Sequence, residues 1–315
     1  MIETVPYTSD FKSTWNEFVS TSKNATFLLD RNYMDYHAQR YRDCSLLFFD
    51  KGKLAGLLPA NVGEKTVFSH EGLTYGSLLV QKNTGYALIQ SMLDAATSHY
   101  RNHLKATAFI YKPIPAIYHR YPAEEDLYWL FCQGAQLTAR SLSSTIDLSC
   151  AQPFSTLRKR HVSKARKCGL TVAEATDESH WKAFWNILTS VLLARHGCRP
   201  VHSADEILLL KQRFNNIRLF CVFKDVEMLA GCVAYLTDRV IHIQYIAASD
   251  EGRLYGALDL LFLTMLSLPV CDGRRYFDFG ISTEQGGKLL NRGLLFQKEG
   301  FGARGICYDQ YRLNL

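Results

Sequence analysis

Two segments of this 315-residue chain gather side chains that can move protons or hold charge. The first, Ser69–Gly76 (SHEGLTYG), sets Ser, His, Glu, Thr and Tyr around two glycines at the end of a strand-like run. Polar residues on a loop at a strand end are a common setting for a site. The second is Tyr276–Arg304, where a strand-like run carrying Asp278 ends in a glycine-rich polar loop, with Asn291, Arg292 and Lys298 beyond it. Glycines at 280, 286, 287, 293, 300 and 302, with Gly305 just beyond, mark tight turns or a close backbone approach to a ligand. A third segment concentrates positive charge. Ser155–Gly169 (STLRKRHVSKARKCG) predicts a helix with Ser155 as N-cap and Gly169 just past its end. Leu157, His161, Val162, Ala165 and Cys168 share one arc, and Lys159, Arg160, Lys164, Arg166 and Lys167 the opposite one, with Arg158 at the edge. Six cations within ten residues and no acid can neutralise a phosphate chain, either a nucleotide or an RNA backbone. The alternative, a merely solvated face, usually mixes in acids four residues away.

Several short matches carry no chemistry. Asp278-Phe279-Gly280 spells a kinase-like DFG, but no HRD loop and no G-x-G-x-x-G accompany it. Gly287-Lys288 would need Gly at 282 and Ser or Thr at 289 to be a P-loop; the chain has Ser282 and Leu289. His99 and His103 lack the Glu of H-E-x-x-H, and no zinc-ligand spacing occurs, so no metal is expected. There is no G-x-S-x-G of a serine hydrolase.

The elements that must position these segments repeat. Ser45–Asp50, Leu54–Pro59 and Thr66–His70 are strand-like, with a turn at Lys51-Gly52. Arg218–Phe223, Leu229–Tyr235 and Val240–Ala247 answer them, with a turn near Lys224-Asp225. Leu54-Ala55-Gly56 matches Leu229-Ala230-Gly231 at an offset of 175; at that offset Val67 answers His242 and His70 answers Tyr245. Each meander is followed by a helix, Gly85–Leu104 and Tyr255–Leu268, and then a strand, Thr107–Tyr111 and Arg275–Phe279. The first helix carries Leu88, Met92, Ala96, Tyr100 and Leu104 on one face. Two copies of one α+β domain are expected, 1–150 and 151–315, because Cys150-Ala151-Gln152-Pro153 breaks the strand at Thr145–Leu148. Two further helices, Glu178–Arg195 and Ser203–Asn215, are expected before the second meander.

Composition is that of an ordinary globular protein: 47% apolar and 21% charged residues exclude disorder and coiled coil. The net charge of +6 permits a phosphate-bearing partner without demanding one. The nine cysteines form no C-x-x-C, and several sit in apolar runs, as buried thiols in a reducing compartment would. The N-terminus shows no signal-peptide pattern. The greasiest stretch, Leu258–Val270, contains Asp259 and falls short of the about 20 residues that span a membrane. A cytoplasmic protein with no membrane span is expected.

Taken together, R-K-R-H-V-S-K-A-R-K-C-G-L-T-V (158–172), F-D-F-G-I (277–281) and K-E-G-F-G (298–302) resemble the Fem-type peptidyltransferases and related acyltransferases. The LAGLLP and SHEGLTYG segments resemble an acetyltransferase-labelled branch of the same superfamily. The resemblance implies an α+β chain of two tandem GNAT-like domains, each a mixed, mostly antiparallel sheet flanked by helices. The family's F-K pair reads Phe296-Gln297-Lys298 here, and no coiled-coil arm is inserted. The GNAT pyrophosphate loop survives in part, as Arg253-Leu254-Tyr255-Gly256-Ala257-Leu258.

The implied activity is N-acyl transfer from acyl-coenzyme A, as donor substrate, to a small-molecule or peptide amine, without a covalent enzyme intermediate. Such a site needs a neutral amine, a stabilised oxyanion and a protonated leaving group. By resemblance, Lys298 is the cation near the oxyanion or a substrate phosphate; a surface Lys–Glu pair is its alternative. Asp278 would hold or deprotonate the amine, or else cap a loop. His70 and Tyr75 are candidate acid–base or acceptor-contacting groups, or pocket walls. Arg253 and Gly256 would hold the donor's phosphates; Arg158, Lys159 and Arg166 would do so for a tRNA. The second reading is aminoacyl-tRNA-dependent transfer to a cell-wall precursor. A third, of another class, is a degenerate pair that binds a ligand without chemistry.

Overall fold

Lys51 and Gly52 both take left-handed backbone, φ +50° and +76°. That geometry closes a two-residue hairpin, so the apolar runs on either side pair antiparallel, Leu46–Asp50 with Lys53–Leu58. The computed structural model, which describes residues 2–315, carries this hairpin in the first of two compact units. Glu3–Pro6 and Leu79–Val80 flank it in a four-stranded sheet. A second set of strands in this unit comprises Arg42–Asp43, Asn61–Gly63, Thr66–Phe68, Ala108–Tyr111 and the C-terminal strand Arg304–Asn314. Thr66–Phe68 and Ala108–Tyr111 run parallel. A parallel pair needs a crossover, and the helix Tyr86–Leu104 supplies it, burying Ile89, Met92, Leu93, Ala96 and Tyr100.

The second unit follows the same plan. Leu170–Ala175, Ile217–Lys224, Glu227–Leu236 and Val240–Ala248 form an antiparallel meander. Val240–Ala248 then pairs parallel with Tyr276–Ile281. That strand in turn pairs antiparallel with the end of Gln136–Asp147. One face of this sheet is covered by the helices Thr156–Lys167 and Ala257–Met265, around Val162, Leu261, Phe262, Phe277, Phe279 and Phe301. The other is covered by Glu178–His196, which buries Trp181, Phe184, Trp185 and Leu188. The matched glycines explain themselves here. A Cβ on Gly231 would lie 2.8 Å from the Phe184 ring, and one on Gly56 would lie 2.6 Å from Met92 Sδ. Each lets a helix side chain seat against a strand.

Three features depart from the sequence expectation. The units do not meet at one cut near residue 150. The first holds Met1–Leu142, Thr283–Leu289 and Cys307–Leu315; the second holds Ser143–Ser282 and Leu290–Ile306. The cause is strand supply, because the last strand of the first unit's sheet is the chain's own C-terminus. The helix expected over Tyr255–Leu268 is two, Asp250–Tyr255 and Ala257–Met265, broken where Gly256 turns left-handed at φ +78°. The segment after Asn291, for which the sequence predicted no element, is the helix Arg292–Gly300, started by the Asn291 carboxamide oxygen, which accepts from Leu294 N at 3.0 Å.

Candidate active site

The parallel ladder of the second unit lasts three residue pairs and ends at His242 opposite Asp278. Beyond this point Tyr276–Ile281 bulges between Asp278 and Ile281, with Gly280 at φ +75°. Phe277 and Phe279 enter the apolar core. Strand alternation therefore turns Asp278 to the opposite face, where it is fully buried.

A buried carboxylate demands partners, and Asp278 has them. Ser143 Oγ and Thr145 Oγ1 donate to Oδ1 at 2.5 and 2.7 Å, and His242 Nδ1 lies 2.7 Å from Oδ2. Burial alone would raise the Asp278 pKa; the hydrogen bond and charge of His242, with the two hydroxyls, overcome it and hold the group below the usual carboxylate value. An ionised carboxylate only accepts. Nδ1 of His242 therefore donates to Oδ2, and in the neutral form of the ring the lone pair lies on Nε2. The His242 side chain retains 14% exposure, so this is an imidazole held in one tautomer at the edge of solvent, the arrangement of a general base.

Lys298 projects from the helix Arg292–Gly300 onto the same bulge. Its Nζ donates to the carbonyls of Gly280 and Ile281, both at 2.7 Å. It is 5% exposed, and burial lowers its pKa to about 8 against the opposing pull of Asp278. Two of its three N–H bonds are spent on the bulge, and one remains for a developing negative charge. The surface Lys–Glu pair is thereby set aside for Lys298, as is the loop cap for Asp278, whose oxygens meet side chains.

The phosphate-holding candidates are spread apart. Arg158 is buried, with its guanidinium 3.1 Å from the Asp259 carboxylate and over the Phe301 ring. Asp259 occupies the first turn of Ala257–Met265. A Cβ on Gly256 would lie 2.9 Å from His161 Cβ and from its carbonyl oxygen. The start of that helix is thus filled by the basic helix instead of standing open. Arg253 donates to the Ala248 carbonyl at 2.8 Å and pairs with Asp250, beside a cavity of about 450 Å³. Lys159 and Arg166 line a different, larger groove.

His70 and Tyr75 belong to the first unit. His70 is buried at a left-handed φ of +64°, with Nδ1 unpartnered. Burial, helped by His37 and Lys112, lowers its pKa to about 3, so it stays neutral. Tyr75 shares a 3.1 Å hydrogen bond with Thr26 and packs on Tyr118. Lys112 bonds the carbonyls of Glu71 and Leu73 and so fastens the SHEGLTYG loop. Where the second unit places His242 opposite Asp278 in its third ladder pair, the first places Phe68 opposite Ile110. The histidine–carboxylate pair has no counterpart there.

The sequence reading named Asp278 and Lys298 but missed His242, Ser143 and Thr145. The available signal was His242 as the polar member of an otherwise apolar V-I-H-I run. Among the described residues no cluster of three or more His, Cys, Asp or Glu could hold a metal, and no helix is long and apolar enough to cross a membrane.

Residues 156–285 match the acetyltransferase (GNAT) domain family. The fold matches the crystal structure of FemX at 14% identity, covering 99% of this chain and 97% of that one, with a TM-score of 0.69. L-PGS from Bacillus licheniformis matches at 12% identity over 96% and 91%, TM-score 0.58. A tandem GNAT protein from the clavulanic acid biosynthesis pathway matches at 11% identity over 100% and 98%, TM-score 0.51. No curated protein shows a significant sequence match. Residues 156–285 are thus similar to the acetyltransferase (GNAT) domain family, and along its length the chain has a fold similar to that of FemX and of the tandem GNAT protein.

Proposed function

We propose that the second unit is an N-acyltransferase site in which His242 is the general base, Asp278 its positioning partner and Lys298 the oxyanion-stabilising cation. The observation that carries this is the His242–Asp278 hydrogen bond at the end of the parallel ladder. His242 Nε2 takes a proton from the acceptor's amine as its nitrogen attacks the donor's carbonyl carbon. The carbonyl oxygen becomes an oxyanion, and the remaining Lys298 N–H stabilises it. The tetrahedral species collapses, the new amide forms and the acyl–leaving-group bond breaks. The proton on His242 passes to the leaving group, so the imidazole ends as it began.

For an acyl-coenzyme A donor, the cavity at Ser249, Asp250 and Arg253 would receive the phosphates. A second reading, an aminoacyl-tRNA donor, is favoured by one observation: Arg158, Asp259 and His161 fill the start of Ala257–Met265, where a diphosphate would otherwise sit. A thermal-shift titration with acetyl-coenzyme A separates the two. A ligand at 100 times its dissociation constant adds about 2.7 kcal/mol to stability. A clear shift supports the coenzyme A donor; its absence, with aminoacyl-tRNA turnover that His242→Ala removes, supports the other. Absence of turnover with either donor rejects the enzyme reading in favour of a ligand-binding module.

A further inference from the structure

The largest groove described in the second unit takes no part in that chemistry. It holds about 830 Å³ between the segment Ala151–Phe154, the helix Thr156–Lys167 and the end of Ala257–Met265, within the usual range for a pocket of a small ligand, about 300–1,000 Å³. Its floor is apolar and mostly aliphatic: Phe154, Val162, Leu263 and Leu266. Its rim is cationic: Lys159, Arg166 and Lys167. None of the three forms a salt bridge among the described residues, and their helix carries no acid that could become a partner. An apolar trough edged by three uncompensated cations suits a ligand that is greasy along its length and negative at one end. A single-stranded nucleic acid seated in such a groove would stack its bases on aromatic platforms; the one ring here, Phe154, is 8% exposed and packed on Phe301.

We propose that this groove binds one molecule of a single-chain anionic amphiphile, its alkyl chain along Val162, Leu263 and Leu266 and its acidic head at Lys159, Arg166 and Lys167. The alkyl chain leaves water for aliphatic surface, and the head gains charge-assisted hydrogen bonds from lysine and arginine.

The test is calorimetric titration of the full chain with dodecyl phosphate below its micelle concentration, beside dodecyl maltoside, inorganic phosphate and a single-stranded oligouridylate. Dodecyl phosphate is expected to bind about tenfold or more tighter than either the neutral amphiphile or phosphate alone, since both ends contribute. Lys159→Glu with Arg166→Glu should weaken it about tenfold or more. Ser163→Trp, at an exposed lining position, should weaken it similarly by filling the groove while leaving the cations in place. Three results overturn the assignment: no binding of dodecyl phosphate, equal binding of dodecyl maltoside with no effect of the charge reversal, or binding of the oligouridylate alone. Melting curves of the variants, expected to match the parent, separate loss of the site from loss of the fold.

Discussion

His242 and Asp278 are the last facing residues of a three-pair parallel ladder, and their side chains close it with a 2.7 Å contact from Nδ1 to Oδ2. Backbone pairing fixes where each Cβ sits, and Ser143 and Thr145 fix the carboxylate from the other side. The imidazole has little freedom to turn. Its tautomer is therefore a property of the sheet.

Replacing Asp278 by Asn tests this directly. The amide NH₂ can donate to Nδ1, which moves the ring hydrogen to Nε2 and removes the base. Asp278→Asn and His242→Ala should each lower kcat/KM for acyl transfer by about 10²–10⁴, the usual worth of a general base. Nitrogen NMR of His242 should show the hydrogen on Nδ1 in the parent and on Nε2 in Asp278→Asn. An Asp278→Asn protein with undiminished rate would sink the tautomer argument.

Lys298 gives a pH signature with two opposite slopes. Its pKa in the fold is about 8, below the 10.5 of a free lysine. Between these values the unfolded chain holds a proton that the folded chain has released. Stability from this group therefore rises as pH climbs through that window. Oxyanion stabilisation needs the cation, so turnover should fall across the same window. Lys298→Met should flatten both slopes, and should also cost about 1–3 kcal/mol in urea unfolding, because the Gly280 and Ile281 carbonyls lose their donor. A rate that stays level above pH 8 in the parent argues against the cation's role.

Gly256 reports on whether the loop after Val240–Ala248 is packed or open. It combines a φ of +78° with a Cβ position 2.9 Å from the His161 backbone oxygen. Gly256→Ala should destabilise the chain by about 1–3 kcal/mol from backbone strain, plus the cost of displacing the basic helix. Gly273→Ala, with φ +73° and open space around the added atom, isolates the strain. Equal losses for the two variants in urea unfolding would mean that the basic helix does not press on Gly256.

Much of the fold was legible because its signals are local. Turn residues at Lys51-Gly52, alternating apolar runs and the four-residue spacing of Met92, Ala96 and Tyr100 each act over one element. Asp278 and Lys298 were named because F-D-F-G-I and K-E-G-F-G resemble the closing motifs of a known family, a signal that is also local. His242 did not, since its role depends on a strand more than thirty residues away lying parallel at one register. Ser143 and Thr145 were hidden more deeply: their strand pairs with a partner some 135 residues on. For the same reason the unit boundaries, set by which strand completes which sheet, could not be read from the breaker at Cys150–Pro153.

Acid stability should depend on the histidines buried without charge. Burial lowers the pKa of His70 to about 3 and that of His119 to about 4. Below the ordinary histidine value of 6.5 the unfolded chain takes up protons that these rings refuse, so each contributes a loss of stability as pH falls toward its folded value. Asp126 works the other way: burial raises its pKa to about 6, so the folded chain gains a proton first and is favoured between that value and the ordinary 3.8. The net slope mixes these groups, but a difference between variants isolates one. His70→Asn keeps a residue that tolerates the left-handed backbone at φ +64° and removes the titration. Relative to the parent, its unfolding free energy should grow by about 1.4 kcal/mol per pH unit on acidification below 6.5. Urea unfolding at pH 6.5, 5.5 and 4.5 measures that difference. A constant offset across the three would mean that His70 charges in place, and that the loop it anchors opens at no cost to the rest of the unit.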